Sequence, residues 1–138
     1  MKVGFTCGAF DLLHAGHIHF LRACRENCDY LIVGLHSDPQ IDRPFSKNKP
    51  IQSIYERWIQ LNALEYVDSI IPYDTEYDLE NMMSTLPFNT RFVGTEYVGT
   101  ILTGQNICEK LNKEIIYIDR LHTYSSTELR NRISKATT

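Results

Sequence analysis

The sequence contains no run of apolar residues close to the roughly 20 that a membrane-spanning helix requires. The segment from Met1 to Phe5 also lacks the apolar core of a secretory signal peptide. We therefore expect no membrane insertion and a cytoplasmic location.

Cysteine is sparse, and its four positions form no C-x-x-C pair and no zinc-finger spacing. Cys24 and Cys28 lie four residues apart in a predicted helix, which is typical of small apolar side chains that share one face. Reduced thiols in a cytoplasm are the simpler interpretation. A metal site or a disulfide that involves these residues, Cys7 or Cys108 is the weaker alternative.

Positive charge is not in excess, since 14 lysines and arginines face 17 acidic residues and the net charge is −3. This balance gives no general attraction to nucleic acid or to anionic membranes, so any phosphate site must be local. The 138 residues are enough for one domain, which we predict to span residues 1–138. A chain of this size buries a core without help from metals or disulfides.

Short apolar runs alternate with helical patterns along the whole chain. We predict strands at residues 3–7, 30–35, 69–72, 91–93 and 114–118, and helices at 16–26, 54–66, 79–86, 104–111 and 125–134. This order indicates an α/β protein with a three-layer, Rossmann-like fold and a mainly parallel five-stranded sheet. Ligands bind such sheets at the carboxyl ends of the strands, so we expect the site in the loops after Cys7, Leu35, Val93 and Ile118.

The first of these loops has features suited to phosphate binding. Gly8 allows a sharp turn after the strand, and Gly16 opens the next helix, whose N-terminal N–H groups and dipole attract anions. His14 and His17 lie three residues apart and can face the same anion. They could instead be solvated loop histidines, or bind a transition metal together with His19.

Three other segments supply complementary groups. Lys47 and Lys49 could clamp a polyphosphate, although a lysine pair in an exposed loop is common. Glu96 could accept a hydrogen bond from the amino group of cytosine and Tyr97 could stack on the base, unless Gly94 to Tyr97 form only a capped surface turn.

The last segment opens the final predicted helix. Its first residues include Ser125, Ser126 and Thr127. Arg120 precedes them, and its planar guanidinium stays protonated. Taken alone, the sequence S-S-T-E is an ordinary helix cap.

Two of these segments resemble signatures of the cytidylyltransferase family. The run G-A-F-D-L-L-H-A-G-H at residues 8–17 is similar to G-T-F-D-x-x-H-x-G-H, and residues 120–127 are similar to R-T-E-G-I-S-T-T. The chain departs from the family pattern at Ala9, His122 and Tyr124. It also has Glu65 where the glycerol-3-phosphate enzymes have arginine. A negative charge there should weaken the binding of an anionic acceptor at that position.

The resemblance implies a role for each candidate residue. The catalytic residues would be His14, His17, Lys47 and Arg120, with the histidines stabilising charge on the nucleotide phosphates. Lys49 and Arg57 would contact the acceptor, although Arg57 could instead brace the site. The nucleotide would bind to Gly8, Ala9, Phe10, Asp11, Gly16, Gly94, Glu96, Tyr97, Ser125, Ser126 and Thr127.

The implied reaction joins CMP from CTP to a phosphorylated small molecule similar to glycerol 3-phosphate and releases pyrophosphate. Such an acceptor is already ionised, so catalysis would rest on positioning and electrostatics without a general base. Mg²⁺ would accompany the triphosphate, with Asp11 as a weak helper and no other protein ligand to a metal. Relatives of this size imply a homodimer, with Trp58 and several tyrosines at the interface. The alternatives are transfer of AMP from ATP to a sugar phosphate, a flavin or phosphopantetheine, and a nucleotide-binding module without turnover.

Overall fold

The computed structural model describes residues 1–120 and 124–136. Its strands are β1 (Val3–Gly8), β2 (Tyr30–His36), β3 (Ser69–Tyr73), β4 (Thr90–Gly94) and β5 (Glu114–Ile118). Its helices are α1 (Ala15–Glu26), α2 (Ile54–Asn62), α3 (Glu76–Thr85), α4 (Gln105–Lys110) and α5 (Ser126–Ala136), and short 3₁₀ turns lie at Pro39–Ile41 and Thr95–Tyr97. Within the described residues, no helix has both the length and the apolarity needed to cross a bilayer.

The five strands form one parallel sheet in the order β3-β2-β1-β4-β5. The chain moves outward from β1 through β2 to β3 and then returns to β4 on the other side of β1. The order of the strands therefore reverses between β1 and β4, where the connecting loops diverge and leave a crevice. These findings confirm the predicted three-layer fold and its five-stranded sheet.

Two apolar clusters cover the two faces of the sheet. On one face, Leu21 of α1 and Leu61 of α2 pack with the buried residues Leu31, Val33 and Phe92. On the other face, the cluster includes Leu79 and Met83 of α3, Cys108 of α4, and Phe5 and Tyr73 of the sheet. The helices thus form one layer on each side of the strands, as the continuous apolar runs of the sequence predict.

The predicted helix at residues 54–66 is wrong at its C-terminal end, because α2 stops at Asn62. After it the chain makes two tight turns, in which the N–H groups of Leu64 and Val67 donate to carbonyls three residues earlier. These turns bring Asp68 to β2, where its N–H donates to the Leu31 carbonyl and its carboxylate accepts from the Leu31 N–H. Helical periodicity could not predict this contact at the start of β3, because it joins residues that are far apart in the sequence.

The outer face of α2 carries exposed aromatic and aliphatic side chains. Tyr55, Trp58 and Ile59 are 65%, 38% and 46% exposed, while Arg57 and Leu61 form the buried face. The predicted homodimer and the place of Trp58 in its interface stay predictions.

Candidate active site

A cleft of about 1010 Å³ opens at the carboxyl ends of the strands. This volume is at the upper end of the ~300–1,000 Å³ typical of small-molecule sites, so two small substrates can share it. It brings together most of the residues singled out from the sequence: Gly8, Ala9, Phe10, Asp11, His14, Gly16, His17, Lys47, Gly94, Glu96, Tyr97, Arg120, Ser125, Ser126 and Thr127. Lys49 and Arg57 line a separate shallow depression.

The first loop holds an unusual backbone conformation. Phe10 and Leu12 have left-handed φ angles of 48° and 51°, which side chains other than glycine rarely adopt. The loop is fixed from outside, since the Leu12 N–H donates to Gln52 Oε1 at 3.0 Å and the Ala9 carbonyl accepts from Arg57 Nη1 at 2.9 Å. Strain of this kind persists only where surrounding contacts hold it, and it concentrates at functional sites.

His14 and His17 begin α1 and have their ring orientations fixed by backbone groups. Nδ1 of His14 accepts from the Gly16 N–H at 3.0 Å, and Nδ1 of His17 accepts from the His14 N–H at 3.2 Å. In a neutral imidazole the proton therefore lies on Nε2 of each ring. The ring centroids are 4.0 Å apart, so the two Nε2–H donors belong to one compact site.

His14 also connects the two helix starts of the site. Nε2 of His14 lies 3.3 Å from the hydroxyl of Ser126, which donates to the Asp11 carbonyl at 3.4 Å. At the start of α5, the Ser125 hydroxyl accepts from the Glu128 N–H at 3.0 Å, as a helix cap should. Two helix N-termini thus meet at one place, which concentrates N–H donors and partial positive charge.

His17 is neutral at physiological pH. Burial, aided by the nearby charge of His14, lowers its pKa from the unperturbed value of 6.5 to about 4. Its contribution to a phosphate site is therefore a fixed hydrogen-bond donor and not a full positive charge.

The carboxylate of Asp11 is part of the scaffold of the site. It accepts from the N–H groups of Ile51 and Gln52 at 2.8 and 3.0 Å and forms an ion pair with Arg130 at 2.9 Å. Burial raises its pKa, but the backbone hydrogen bonds and Arg130 outweigh that effect and lower it. These contacts join the first loop to residues 51–52 and to α5, which is a structural role, and the predicted role of Asp11 as a helper for Mg²⁺ stays a prediction. Mg²⁺ commonly binds through substrate phosphates, and the prediction that it accompanies the nucleotide stays a prediction.

Arg57 lies beneath the loops and is only 2% exposed. Its guanidinium donates to the carbonyls of Gln52, Ser53, Ala9, His36 and Ser37. Of the two roles predicted for Arg57, this geometry corresponds to bracing the site. Glu65 is exposed after α2 and does not line the described part of the cleft.

The end of β4 forms another wall of the cleft. A Cβ atom at Gly94 would lie 2.3 Å from Oε2 of Glu96, so the glycine lets that carboxylate fold back over the strand end. Tyr97 is 42% exposed in the same 3₁₀ turn. A carboxylate and an aromatic ring therefore stand side by side where a base could bind.

Arg120 lies at the exposed edge of the cleft, where its guanidinium donates to the Tyr124 carbonyl. His19 lines the same edge and stacks on Tyr124, with parallel rings 6.3 Å apart. Leu121, His122 and Thr123 of the second signature lie outside the described residues.

The alternative of a three-histidine metal site gains no support from the geometry. In the described part of the chain, the one group of three potential ligands close enough for a metal is His36, Asp42 and Glu76. Within that group Glu76 pairs with Arg43 at 3.1 Å, and Asp42 accepts from the Glu76 N–H at 2.6 Å.

A comparison with protein-family models decides the class of the protein. The model described as cytidylyltransferase-like matches residues 5–132. The chain belongs to the cytidylyltransferase-like family. It is therefore a nucleotidyltransferase-family enzyme, and the resemblance of its two signatures to that family is confirmed.

Individual relatives share this family similarity over most of the chain. The "bifunctional protein HldE" of Nitrobacter winogradskyi is 36% identical over 136 residues, which are 99% of this chain and 28% of that protein. HldE of Bradyrhizobium sp. is 36% identical over 132 residues, which are 96% of this chain and 27% of that protein. The chain thus spans little more than a quarter of the length of these curated relatives.

Solved structures agree with the fold. A lipopolysaccharide core biosynthesis protein from Thermoplasma volcanium superposes with a TM-score of 0.68 at 25% identity, over 91% of this chain and 99% of that one. A protein from Archaeoglobus fulgidus has a TM-score of 0.56 at 19% identity, over 91% and 94% of the two chains, and supports the fold alone.

Sequence reasoning missed two arginines of the cytidylyltransferase-like cleft. Arg130 lies on α5 and reaches Asp11, which is 119 residues away in the sequence. Arg91 lies in β4, lines the cleft and is 4% exposed. A signal for Arg91 was present, because a charged residue inside an apolar strand needs an explanation.

The lowered pKa of His17 predicts a pH dependence of stability. The unfolded chain binds a proton at His17 below pH 6.5, whereas the folded chain does so only below about pH 4. The free energy of unfolding should therefore fall as pH drops from 6.5 to 4, by about 3 kcal/mol at most from this residue. His17→Asn should remove that part of the decline, as measured by urea unfolding between pH 7.5 and 4. Burial also lowers the pKa of His36, so the informative quantity is the difference in the free energy of unfolding between the wild type and His17→Asn. If this difference is the same at every pH, the lowered pKa of His17 is wrong.

Proposed function

We propose that this chain transfers a nucleoside monophosphate from a nucleoside triphosphate to a sugar phosphate and releases pyrophosphate. The observation that carries the proposal is the pair of Nε2–H donors on His14 and His17, which are held at the start of α1, with His14 next to Ser126 at the start of α5. These donors would bind oxygens of the nucleotide phosphates and stabilise the charge that develops there. Lys47 and Arg120, at the edge of the cleft, would add positive charge.

The chemistry in this proposal needs no nucleophilic side chain. An oxygen of the acceptor phosphate forms a bond to the α-phosphorus, and the bond from that phosphorus to the bridging oxygen breaks. The electron pair leaves with pyrophosphate. The protein orients the two phosphates and stabilises the spread negative charge, which are the main contributions in phosphoryl-group chemistry.

The relatives guide the choice of acceptor and nucleotide. The name of the Thermoplasma protein places it in the synthesis of a sugar polymer, which favours a sugar phosphate over glycerol 3-phosphate. Similarity to HldE over nearly the whole chain favours AMP transfer from ATP, the alternative form of the reaction. The Glu96 carboxylate suits either nucleotide, because adenine and cytosine both carry an amino group.

A matrix of nucleotides and acceptors tests this function. ATP and CTP are each combined with sugar phosphates, glycerol 3-phosphate, a flavin phosphate and phosphopantetheine, and pyrophosphate release is measured. We expect the highest kcat/KM with ATP and a sugar phosphate. Faster turnover with CTP and glycerol 3-phosphate would overturn the substrate assignment. Nucleotide binding without pyrophosphate release from any pair would favour a binding module.

A further inference from the structure

Arg91 is a buried cation to which the described residues supply no anionic partner. Its Nη1 donates to the Thr103 carbonyl, its Nη2 lies 3.6 Å from the Cys7 sulfur, and its buried Nε has no hydrogen-bond partner among the described residues. Among the ion pairs of residues 1–120 and 124–136, none involves Arg91.

This arrangement is costly unless something compensates it. A guanidinium stays protonated, and a carbonyl and a thiol are weak substitutes for a carboxylate or a phosphate. Met83 and Cys108 of the apolar cluster lie nearby, so the surroundings do little to solvate the charge. Yet Arg91 also lines the cleft, where an incoming anion can reach it. A bound anion would turn an unfavourable buried charge into a charge-assisted, bidentate contact.

We propose that Arg91 binds the phosphate group of the acceptor, an inference that rests on the proposed function and names the position of its second substrate. Tyr73 and Cys7 adjoin the guanidinium and line the same part of the cleft. The hydroxyl of Tyr73 stays protonated because burial raises its pKa far above the usual value. It is thus a neutral donor near the charged guanidinium.

The placement of Arg91 fits the direction of the reaction. His14 and His17 belong to α1, which covers the face of the sheet that includes Leu21 and Phe92. Arg91 points to the opposite face, toward residues of α3 and α4. An in-line displacement requires the attacking and leaving groups on opposite sides of the α-phosphorus. Pyrophosphate would leave toward the histidines while the acceptor oxygen approaches from the side of Arg91.

Steady-state kinetics of Arg91→Met and Arg91→Lys test this role. We expect Arg91→Met to raise the acceptor KM by about 10- to 100-fold, as the loss of charge-assisted hydrogen bonds should. The nucleotide KM should stay unchanged. The acceptor KM of Arg91→Lys should lie between those of the wild type and Arg91→Met, because lysine keeps the positive charge but not the planar pair of donors. The matched control is Arg132→Met, at an exposed arginine of α5 that pairs with Glu128.

Stability distinguishes a ligand-binding role from a structural one. Replacing an unpaired buried charge with an apolar side chain of similar length should leave Tm unchanged or raise it. If Arg91 serves only to hold the Thr103 loop, Arg91→Met should lower Tm and raise both KM values together. That outcome would overturn the proposal.

Inorganic phosphate provides a test that does not depend on turnover. Phosphate should raise Tm through two sites, one lost in His17→Ala and the other lost in Arg91→Met. A loss in Arg91→Met supports this anion site even if no acceptor releases pyrophosphate, in which case only the proposed function fails. If the Tm increase in Arg91→Met equals that of the wild type, the inference about Arg91 is wrong whatever the enzyme's activity.

Discussion

His17→Ala should lower kcat by about 10²–10³-fold, the usual cost of removing one preorganised donor from a developing negative charge. The side chain is suited to this role because its Nδ1 accepts from the His14 N–H and its proton therefore lies on Nε2. The donor is in place before the substrate arrives and needs no reorganisation during the reaction. Binding of the nucleotide ground state should weaken much less, by about tenfold at most.

The measurement pairs single-turnover rates with equilibrium nucleotide affinity, on protein shown to be folded. His19→Ala is the matched control, because His19 is an exposed histidine at the rim of the same cleft and stacks on Tyr124. It should change both quantities little. Near-normal turnover of His17→Ala, or a larger defect in His19→Ala, would show that the phosphates bind elsewhere.

The rate should also be insensitive to His17 titration near neutrality. With a pKa of about 4, this imidazole is neutral throughout the physiological range and donates the same hydrogen bond at pH 6 and pH 8. Its effect on stability is confined to lower pH, where the buried ring gains a proton at the expense of the fold. In a phosphate site His17 would therefore contribute a hydrogen bond and not a full positive charge.

Local patterns predicted much of the fold. Continuous apolar runs identified the strands, and the prediction for β5 at residues 114–118 matches the structure at both ends. The start of α2 was found, and there the Ser53 hydroxyl caps the helix in a capping box with Glu56. The start of α3 was predicted three residues late, at Leu79, although Thr75 and Asp78 form the same kind of local capping box before Glu76. The end of α2 was missed because the paired position of Asp68 beside Leu31 decides it, and that contact spans 37 residues.

The helix starts that would bind phosphate were predictable from the sequence, and the residues that support them were less so. His14, Gly16 and Ser126 lie at helix starts, so their spacing in the sequence indicates the role they would have. Arg91 and Arg57 contact groups that are distant in the sequence. The apolar strand around Arg91 indicates that this residue is buried, but it does not indicate which groups its guanidinium meets. The contacts of both arginines follow only from the assembled sheet and loops.

Arg57→Met should lower the free energy of unfolding by about 3 kcal/mol or more, because it removes a buried guanidinium that donates to the carbonyls of five residues. The native guanidinium joins Ala9 of the first loop, His36 and Ser37 after β2, and the start of α2. Methionine preserves most of the apolar stem, so the loss reports on the hydrogen bonds and not on a large cavity. Arg57→Lys should be intermediate, since one ammonium group reaches fewer of these carbonyls than a planar fork does.

Urea unfolding at pH 7 measures the effect, with Arg132→Met as the matched control. Arg132 is an exposed arginine whose only ion pair among the described residues is with Glu128. Arg132→Met should therefore change the free energy of unfolding by no more than about 0.5 kcal/mol. Kinetics then separate the two roles predicted for Arg57. If Arg57 holds the loops in place, Arg57→Met should be less stable and should use both substrates poorly, because the Ala9 carbonyl and the first loop lose their support. If Arg57→Met instead unfolds like the wild type and raises only the acceptor KM, Arg57 contacts the acceptor directly, and the loops must be held by other bonds.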